Sequence, residues 1–402
     1  MLIFLMPDRL RKIFSNLAFQ VLIALIAGIA AGIYFPAFAI KQRFIGTYFI
    51  SVTEWFAGPV IFLSITTGIA AIASLRKLGR IALKSILLFE LLTTVAIIFG
   101  LGMAALLKPG TINKGNLQEI IQSHFQLPDH ETSSGWNNFL PPQHVLWILA
   151  SAMTIGLLLH FLPQKDRYIV KLEKIRDLIF SVITLFFSLT PLAVFSGMAY
   201  TIASFGLHSI LPMSKLVAVM YLLVIIFVFV FLGLLLRYYK FSIWQLLVLI
   251  REEILIVFGT SSSRTVIPLL IARLENYGCS KPVTGFVLST GYSFNLIGTS
   301  IYLGLCTMFL IQLYNLEIDM YTWCKIVLIL MLVSKGASGV PGAGFIALSS
   351  AIYILPEIPS EGLLFIVAVE RFLNEARSIT NTIGNAASTL VIAKSENEFT
   401  ER

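Results

Sequence analysis

The sequence has 402 residues, of which 57% are hydrophobic and 12% charged. Soluble domains carry roughly twice that charge, about 25%. With a mean hydropathy of +0.88 the chain lacks the polar shell a soluble enzyme needs, and disorder, collagen and coiled coil are excluded on the same composition. The apolar runs are continuous rather than alternating, which argues against a β-barrel. An all-α, multi-pass integral membrane protein in a lipid bilayer remains. The net charge of +8 does not indicate nucleic acid, because the basic residues sit in short connections between apolar runs, where they encode topology. Cys279, Cys306 and Cys324 have neither metal nor disulfide spacing and read as packing residues.

Apolar segments fall at 14–35, 46–74, 82–107, 144–163, 177–204, 214–236, 244–276, 283–314, 326–355 and 362–393. The first follows Arg9, Arg11 and Lys12 and ends near Ala37-Phe38-Ala39, which resembles a signal-peptidase site. It is too long for the roughly 7–15-residue core of a signal peptide, and it spans a bilayer, so a retained first transmembrane helix is expected. Lys and Arg cluster in alternate connections: 9–12, then 76–84, then 165–176, then 237–251. The intervening connections hold only Lys41 and Arg43, Lys108 and Lys114, and Lys215. The positive-inside rule places residues 1–13 and the tail 394–402 in the cytoplasm and the polar stretch 108–143 outside.

Two segments do not read as simple spans. Leu246 to Gly259 is interrupted by Thr260-Ser261-Ser262-Ser263-Arg264, and Ile326 to Val333 runs into Ser334-Lys335-Gly336-Ala337-Ser338-Gly339-Val340-Pro341-Gly342-Ala343-Gly344. Their flanks are mostly too short to cross ~30 Å as helix. Two re-entrant hairpins account for both, since unwound backbone at membrane depth requires a protein or water-filled surround; two kinked helices with small-residue packing faces are the alternative. Each is followed by one long apolar helix, and the second pair is inverted relative to the first. Such paired interruptions point to a transporter binding site.

The last segment carries Glu370, Asn374, Arg377, Asn381 and Asn385 on one helical face. A charge at membrane depth costs about 2.5–3.5 kcal/mol or more, so this stripe faces a cavity, a partner or a substrate. Arg377 leads, because its planar fork matches a carboxylate; an internal pair, Glu370 with Arg377 or Glu375 with Arg264, is the competing account. Ser378, Asn381 and Thr299 are neutral hydrogen-bonding groups that serve substrate or interhelical contacts equally well. Ser293-Phe294-Asn295-Leu296-Ile297-Gly298-Thr299 interrupts another helix, and its freed carbonyls suit a hard cation. Glu54 and Glu90 stand within apolar runs as proton carriers or as buried neutral acids.

The serine triplet 261–263, the Asn295–Thr299 motif, the glycine-rich 339–344 stretch and Arg377 through Asn381 together resemble the dicarboxylate/amino acid:cation symporter family, which includes the glutamate transporters. The resemblance runs from about residue 18 to 394 and is strongest over 255–394. Gly291-Tyr292-Ser293-Phe294-Asn295, Phe89-Glu90, Glu375-Ala376-Arg377 and Gly384-Asn385 are similar to its C4-dicarboxylate carrier branch. It implies a glutamate-transporter-like fold of eight transmembrane helices and two re-entrant hairpins with inverted repeats, assembled as a homotrimer in the bacterial plasma membrane. Segments 14–74 and 144–204 would form a scaffold. Segments 82–107 and 214–236, hairpin 1 with helix seven (244–314) and hairpin 2 with helix eight (326–393) would form the moving part.

The resemblance also implies site residues. Ser262, Ser263, Thr299, Gly339, Val340, Arg377, Ser378 and Asn381 would surround substrate, with Asn374 at the position that meets an amino group in the glutamate branch. One cation site would use Gly291, Asn295, Asn381 and Asn385. A second would use Ser293, Ser334, Lys335 and Ala337, mostly through backbone carbonyls, and a third Thr93, Thr94 and Asn295. No cofactor or transition metal is implied beyond the coupling ion, Na+ or H+.

Four departures bear on function. Ile297 replaces an aspartate of the family motif and Asn385 an acidic cation ligand, so proton coupling through Glu54, Glu90, Glu370 or Glu375 becomes an alternative to sodium. Asn374 removes the anion an α-ammonium needs, which favours succinate, fumarate or malate over amino acids. Arg264 is a cation beside the serines that the family pattern does not require. The expectation is a C4-dicarboxylate:cation symporter. An acidic or neutral amino acid symporter and a non-transporting sensor are the alternatives; an enzyme is disfavoured, because the serines have no histidine in the same region.

Overall fold

The computed structural model describes residues 17–73, 79–111, 148, 151–152, 154–156, 158–159, 165–207, 210–337 and 341–400. The expectations for residues 1–13, for most of 108–143 and 144–163, and for Gly339 and Val340 lie outside these, as does the side chain of Glu54. Among the described residues the chain is helical throughout, without a strand; an isolated bridge joins Cys279 to Phe399. Cys279 and Cys306 are buried and Cys324 is exposed.

Helices Gly79–Leu107, Ile210–Tyr238 and Lys281–Leu313 are long and apolar enough to cross a bilayer. Two bent helix pairs pass the same test only when taken together: Phe19–Tyr34 turns by 120° into Pro36–Val60, and Arg167–Phe187 turns by 48° into Thr190–Ser204. The second bend falls where Ser188 and Leu189 precede Pro191, whose ring cannot sit in a helix interior. The helix that carries the start of the apolar run expected at 177–204 is described from Lys165, with the basic residues of 165–176 on its earlier turns. Helix Leu17–Tyr34 packs on Thr190–Phe205, and Arg43–Ala73 packs on both Lys165–Phe187 and Thr190–Phe205. A second group forms around the last helix, Leu363–Ser395, which packs on Ile210–Ile226, Arg251–Thr260 and both halves of the Lys281–Leu313 span. The 210–238 span contains a π-helical turn, Phe227–Leu232, where Phe227 and Phe231 stack at 4.9 Å; such turns widen a helix and commonly mark functional regions.

Both interrupted segments fold back as hairpins. In the first, Arg251–Thr260 ends at Ser261, a 3₁₀ turn covers Ser263–Val266, and Ile267–Tyr277 follows. Arg273 bonds Glu253 (3.1 Å) and Glu252 (2.5 Å), which brings the outer ends of the two limbs together and makes them antiparallel. In the second, Met320–Ser334 and Ala343–Ile354 are the limbs, and Lys325 pairs with Glu357 at 2.6 Å for the same reason. Asp319 caps the first limb by accepting from the Thr322 amide at 2.9 Å, satisfying an orphan donor. At 1.5 Å per residue none of these limbs spans the ~30 Å hydrocarbon core.

Residues 396–400 pack against the rest of the fold. Ser280 N donates to Glu398 O and Thr400 N to Gly278 O, each at 3.0 Å. Phe399 packs edge-on to Phe241 at 5.0 Å, and Glu396 pairs with Lys84, whose ammonium also donates to the Ser395 carbonyl at 3.2 Å.

Candidate functional site

The last helix supplies the polar stripe, and almost its whole length from Leu363 to Ala393 is buried. The charges the sequence places there therefore lie inside protein. Arg377 is 1% exposed. It donates through Nη1 to Thr299 Oγ1 (3.5 Å) and through Nη2 to Asn374 Oδ1, and its plane lies 5.9 Å from the Tyr302 ring centre. Its Nε has no hydrogen-bond partner. No carboxylate among the described residues stands within ion-pair distance of it. Glu370, two turns earlier, accepts instead from Tyr302 Oη at 2.8 Å, leaving its Oε1 without a partner.

The pairing of Glu375 with Arg264 does not form. Glu375 takes Arg371, four residues back on the same helix, at 3.1 Å, an i,i+4 partner that needs no tertiary contact. Arg264 reaches the 165–187 helix, where Asp177 stands 3.7 Å away and the Phe180 ring 5.4 Å away.

The tip of hairpin 1 meets this stripe. Ser261 adopts a left-handed backbone, φ +51°, which ends the helix and turns its carbonyl toward the last helix. There the carbonyl accepts from Ser378 Oγ (3.0 Å) and Asn374 Nδ2 (3.4 Å). Ser261, Ser262 and Ser263 are buried, and the hydroxyls of Ser261 and Ser263 lack partners. Hairpin 2 closes on the other side: a β-carbon on Gly344 would meet the Arg377 guanidinium. Thr299 and Asn374 bond the Arg377 guanidinium, Asn374 and Ser378 bond the Ser261 carbonyl that precedes Ser262 and Ser263, and Asn381 bonds Thr299. Buried polar groups are normally satisfied; here an arginine nitrogen and two hydroxyls are not, which suits a ligand rich in acceptor oxygens.

The break in the 281–313 span lies alongside. Phe294 ends the first half and Ile297 starts the second. Asn381 Oδ1 accepts from the amides of Gly298 (2.8 Å) and Thr299 (3.3 Å), and its Nδ2 donates to Thr299 Oγ1 at 3.2 Å. The last helix thereby caps a half-helix that lacks its own cap. Gly298 permits this approach, since a β-carbon there would collide with the Arg377 carbonyl and Thr380. Gly298→Ala is expected to destabilise the protein by about 1–3 kcal/mol, the usual cost of overpacking. A thermal unfolding midpoint in detergent indistinguishable from that of the parent would contradict the close packing.

Of the expected cation ligands, Asn295 donates to Asn385 Oδ1 (3.2 Å), Ser388 Oγ (2.9 Å) and Gly384 O (3.4 Å), while the Gly291 carbonyl accepts from Asn295 N at 2.7 Å. Asn295 Oδ1 and Asn385 Nδ2 remain unpartnered. The Ile297 side chain packs against Gly384, so an aliphatic group fills the place of a carboxylate. Ser334 Oγ donates to the Met331 carbonyl at 2.8 Å, and Ser293 and Thr94 are half-buried. Thr93 Oγ1 accepts from Lys335 Nζ at 3.0 Å. Glu90 is 40% exposed and pairs with Lys335.

The model of the sodium:dicarboxylate symporter family matches residues 17–395. The chain belongs to the sodium:dicarboxylate symporter family. Among relatives in that family, the C4-dicarboxylate transport protein of Bacillus subtilis is 39% identical, with 97% of this chain and 96% of that protein covered. Proteins of the same description from Laribacter hongkongensis and Cupriavidus necator are each 37% identical, over 96% and 97% of this chain and 91% and 94% of theirs. Membership makes the chain a membrane transporter and not an enzyme.

Sequence reasoning missed Tyr302, Asp177 and Arg371. Arg371 had a signal, its i,i+4 spacing to Glu375. Tyr302 and Asp177 had none, because their partners are distant in sequence.

Proposed function

We propose that this symporter imports C4-dicarboxylates such as succinate, fumarate and malate together with a cation, as a homotrimer in the bacterial plasma membrane with both termini cytoplasmic. The observation that carries the substrate class is Arg377, a buried guanidinium with no carboxylate partner among the described residues. A carboxylate of the substrate supplies that partner, bidentately at the open side of the fork. The second carboxylate takes the hydroxyls of Ser262 and Ser263, with Thr299, Ser378, Asn381 and the backbone at Gly339 and Val340 completing the cradle. The names of the relatives support the same class. Asn374, neutral and bonded to Arg377, provides no anion for an α-ammonium, which sets dicarboxylates above amino acids.

Coupling to protons is favoured by Glu370, which keeps a buried oxygen unpartnered, whereas Glu90 and Glu375 are ion-paired. Uptake of labelled succinate into proteoliposomes, with sodium and proton gradients imposed separately, tests both parts. Accumulation driven by the proton gradient alone is expected, and Glu370→Gln is expected to remove its pH dependence. Accumulation that requires sodium would transfer the coupling to the amide and carbonyl oxygens at Gly291, Asn295 and Asn385. No concentrative uptake under either gradient would overturn symport.

A further inference from the structure

Lys335 follows directly on the first limb of hairpin 2, which ends at Ser334, and its side chain reaches two other elements. Its ammonium stands 2.9 Å from Glu90 Oε1, donates to Thr93 Oγ1 at 3.0 Å and donates to the Phe294 carbonyl at 3.3 Å. An ammonium has three donors, and here three oxygens from two other elements meet them.

Each of these oxygens is presented in the way a cation site presents its ligands. In an unbroken helix the Phe294 carbonyl would accept from the amide of residue 298. That amide goes to Asn381 Oδ1 instead, so the carbonyl is released by the break. Unwound carbonyls of this kind, at the discontinuity of a transmembrane helix, coordinate transported cations. Thr93 spends its own proton on the Phe89 carbonyl at 2.8 Å, which turns a lone pair outward. Glu90 adds a negative charge. Carboxylate, hydroxyl and carbonyl oxygens form the donor set preferred by hard cations. Next to them, Ile297 packs on Gly384 and contributes no negative charge that would hold a second cation beside the ammonium.

We propose that Lys335 is the resident cation of the helix break: its ammonium takes the coordination offered by Glu90, Thr93 and the Phe294 carbonyl, so that no sodium ion binds to these oxygens and hairpin 2 is held to the break by a charge of the chain itself. A bound ion must be captured before it can draw a hairpin down, whereas a tethered ammonium is present at every turn of the cycle. This inference is independent of which dicarboxylate is carried and of whether protons or sodium at another place drive uptake.

The test is sodium binding to the purified full-length protein, read as the thermal unfolding midpoint while sodium chloride replaces N-methylglucamine chloride at constant ionic strength. Lys335→Ala opens the oxygen cluster and leaves its charge uncompensated. Its midpoint is expected to rise saturably with sodium, by at least about twice any rise in the parent, as a ligand confined to the folded state requires. Glu90→Gln with Lys335 intact supplies an independent arm, in which the sodium response is expected to equal that of the parent. A Lys335→Ala protein that responds to sodium no more than the parent would overturn the proposal. So would a parent response that falls in Glu90→Gln, because the carboxylate would then be a sodium ligand in the native chain. If Lys335→Ala folds in neither salt, the Glu90→Gln comparison decides.

Discussion

Arg377→Ala is expected to weaken succinate binding by at least about 100-fold, the loss of two charge-assisted hydrogen bonds at ~1.5–3 kcal/mol each. The expectation rests on the bonding of the guanidinium. Its protein hydrogen bonds go to neutral oxygens on Asn374 and Thr299, and Glu370 acts on it through space without forming an ion pair. Arg377→Lys retains the charge but loses the planar fork, and an intermediate loss of about 10- to 100-fold is expected. Equilibrium binding of labelled succinate to the purified protein measures both, with the unfolding midpoint as the check on folding. Equal losses in the two variants would mean that charge alone does not carry recognition. No loss in either would move the substrate away from this helix.

Asn374→Asp is expected to lower succinate affinity by about 10- to 100-fold and to raise the affinity for aspartate relative to succinate. The substitution is isosteric and places an anion where Asn374 Oδ1 already meets the guanidinium. Two opposite charges about 4 Å apart at an effective dielectric of 20 attract by ~4 kcal/mol, and a substrate carboxylate must compete with that pair. The same anion gives an α-ammonium its missing partner. The lost donation from Asn374 Nδ2 to the Ser261 carbonyl also loosens the hairpin 1 tip, which works against both ligands. The ratio of the two affinities, measured by competition against labelled succinate, isolates the charge effect from that loosening. An unchanged ratio would remove Asn374 from the selectivity of the site.

Much of this arrangement was legible in the sequence wherever a local rule was broken. Serines in one apolar run, and glycines in another, announced backbone that cannot continue as helix, and both became hairpins. The 3.6-residue period put Glu370, Asn374, Arg377, Asn381 and Asn385 on one face, and the last helix buries that face. The choice of partners was not legible. Arg264 pairs with Asp177 and Lys335 with Glu90, partners far apart in sequence in each case, and nothing in a local pattern ranks one distant carboxylate above another. Lys335 shows the difficulty most directly. The family resemblance assigned its backbone to a cation site, while its side chain supplies a cation.

The knitting of residues 396–400 has a mechanical consequence. The helix that bears Arg377 is fastened at its far end to Gly278 and Ser280 beyond hairpin 1 and to Lys84 at the start of the 79–107 helix. Near its middle, Asn381 clamps it to the half-helix that starts at Ile297. A beam pinned at both places transmits force without flexing. A displacement of this helix therefore carries the 79–107 helix, the segment beyond hairpin 1 and the half-helix from Ile297 with it as a single load.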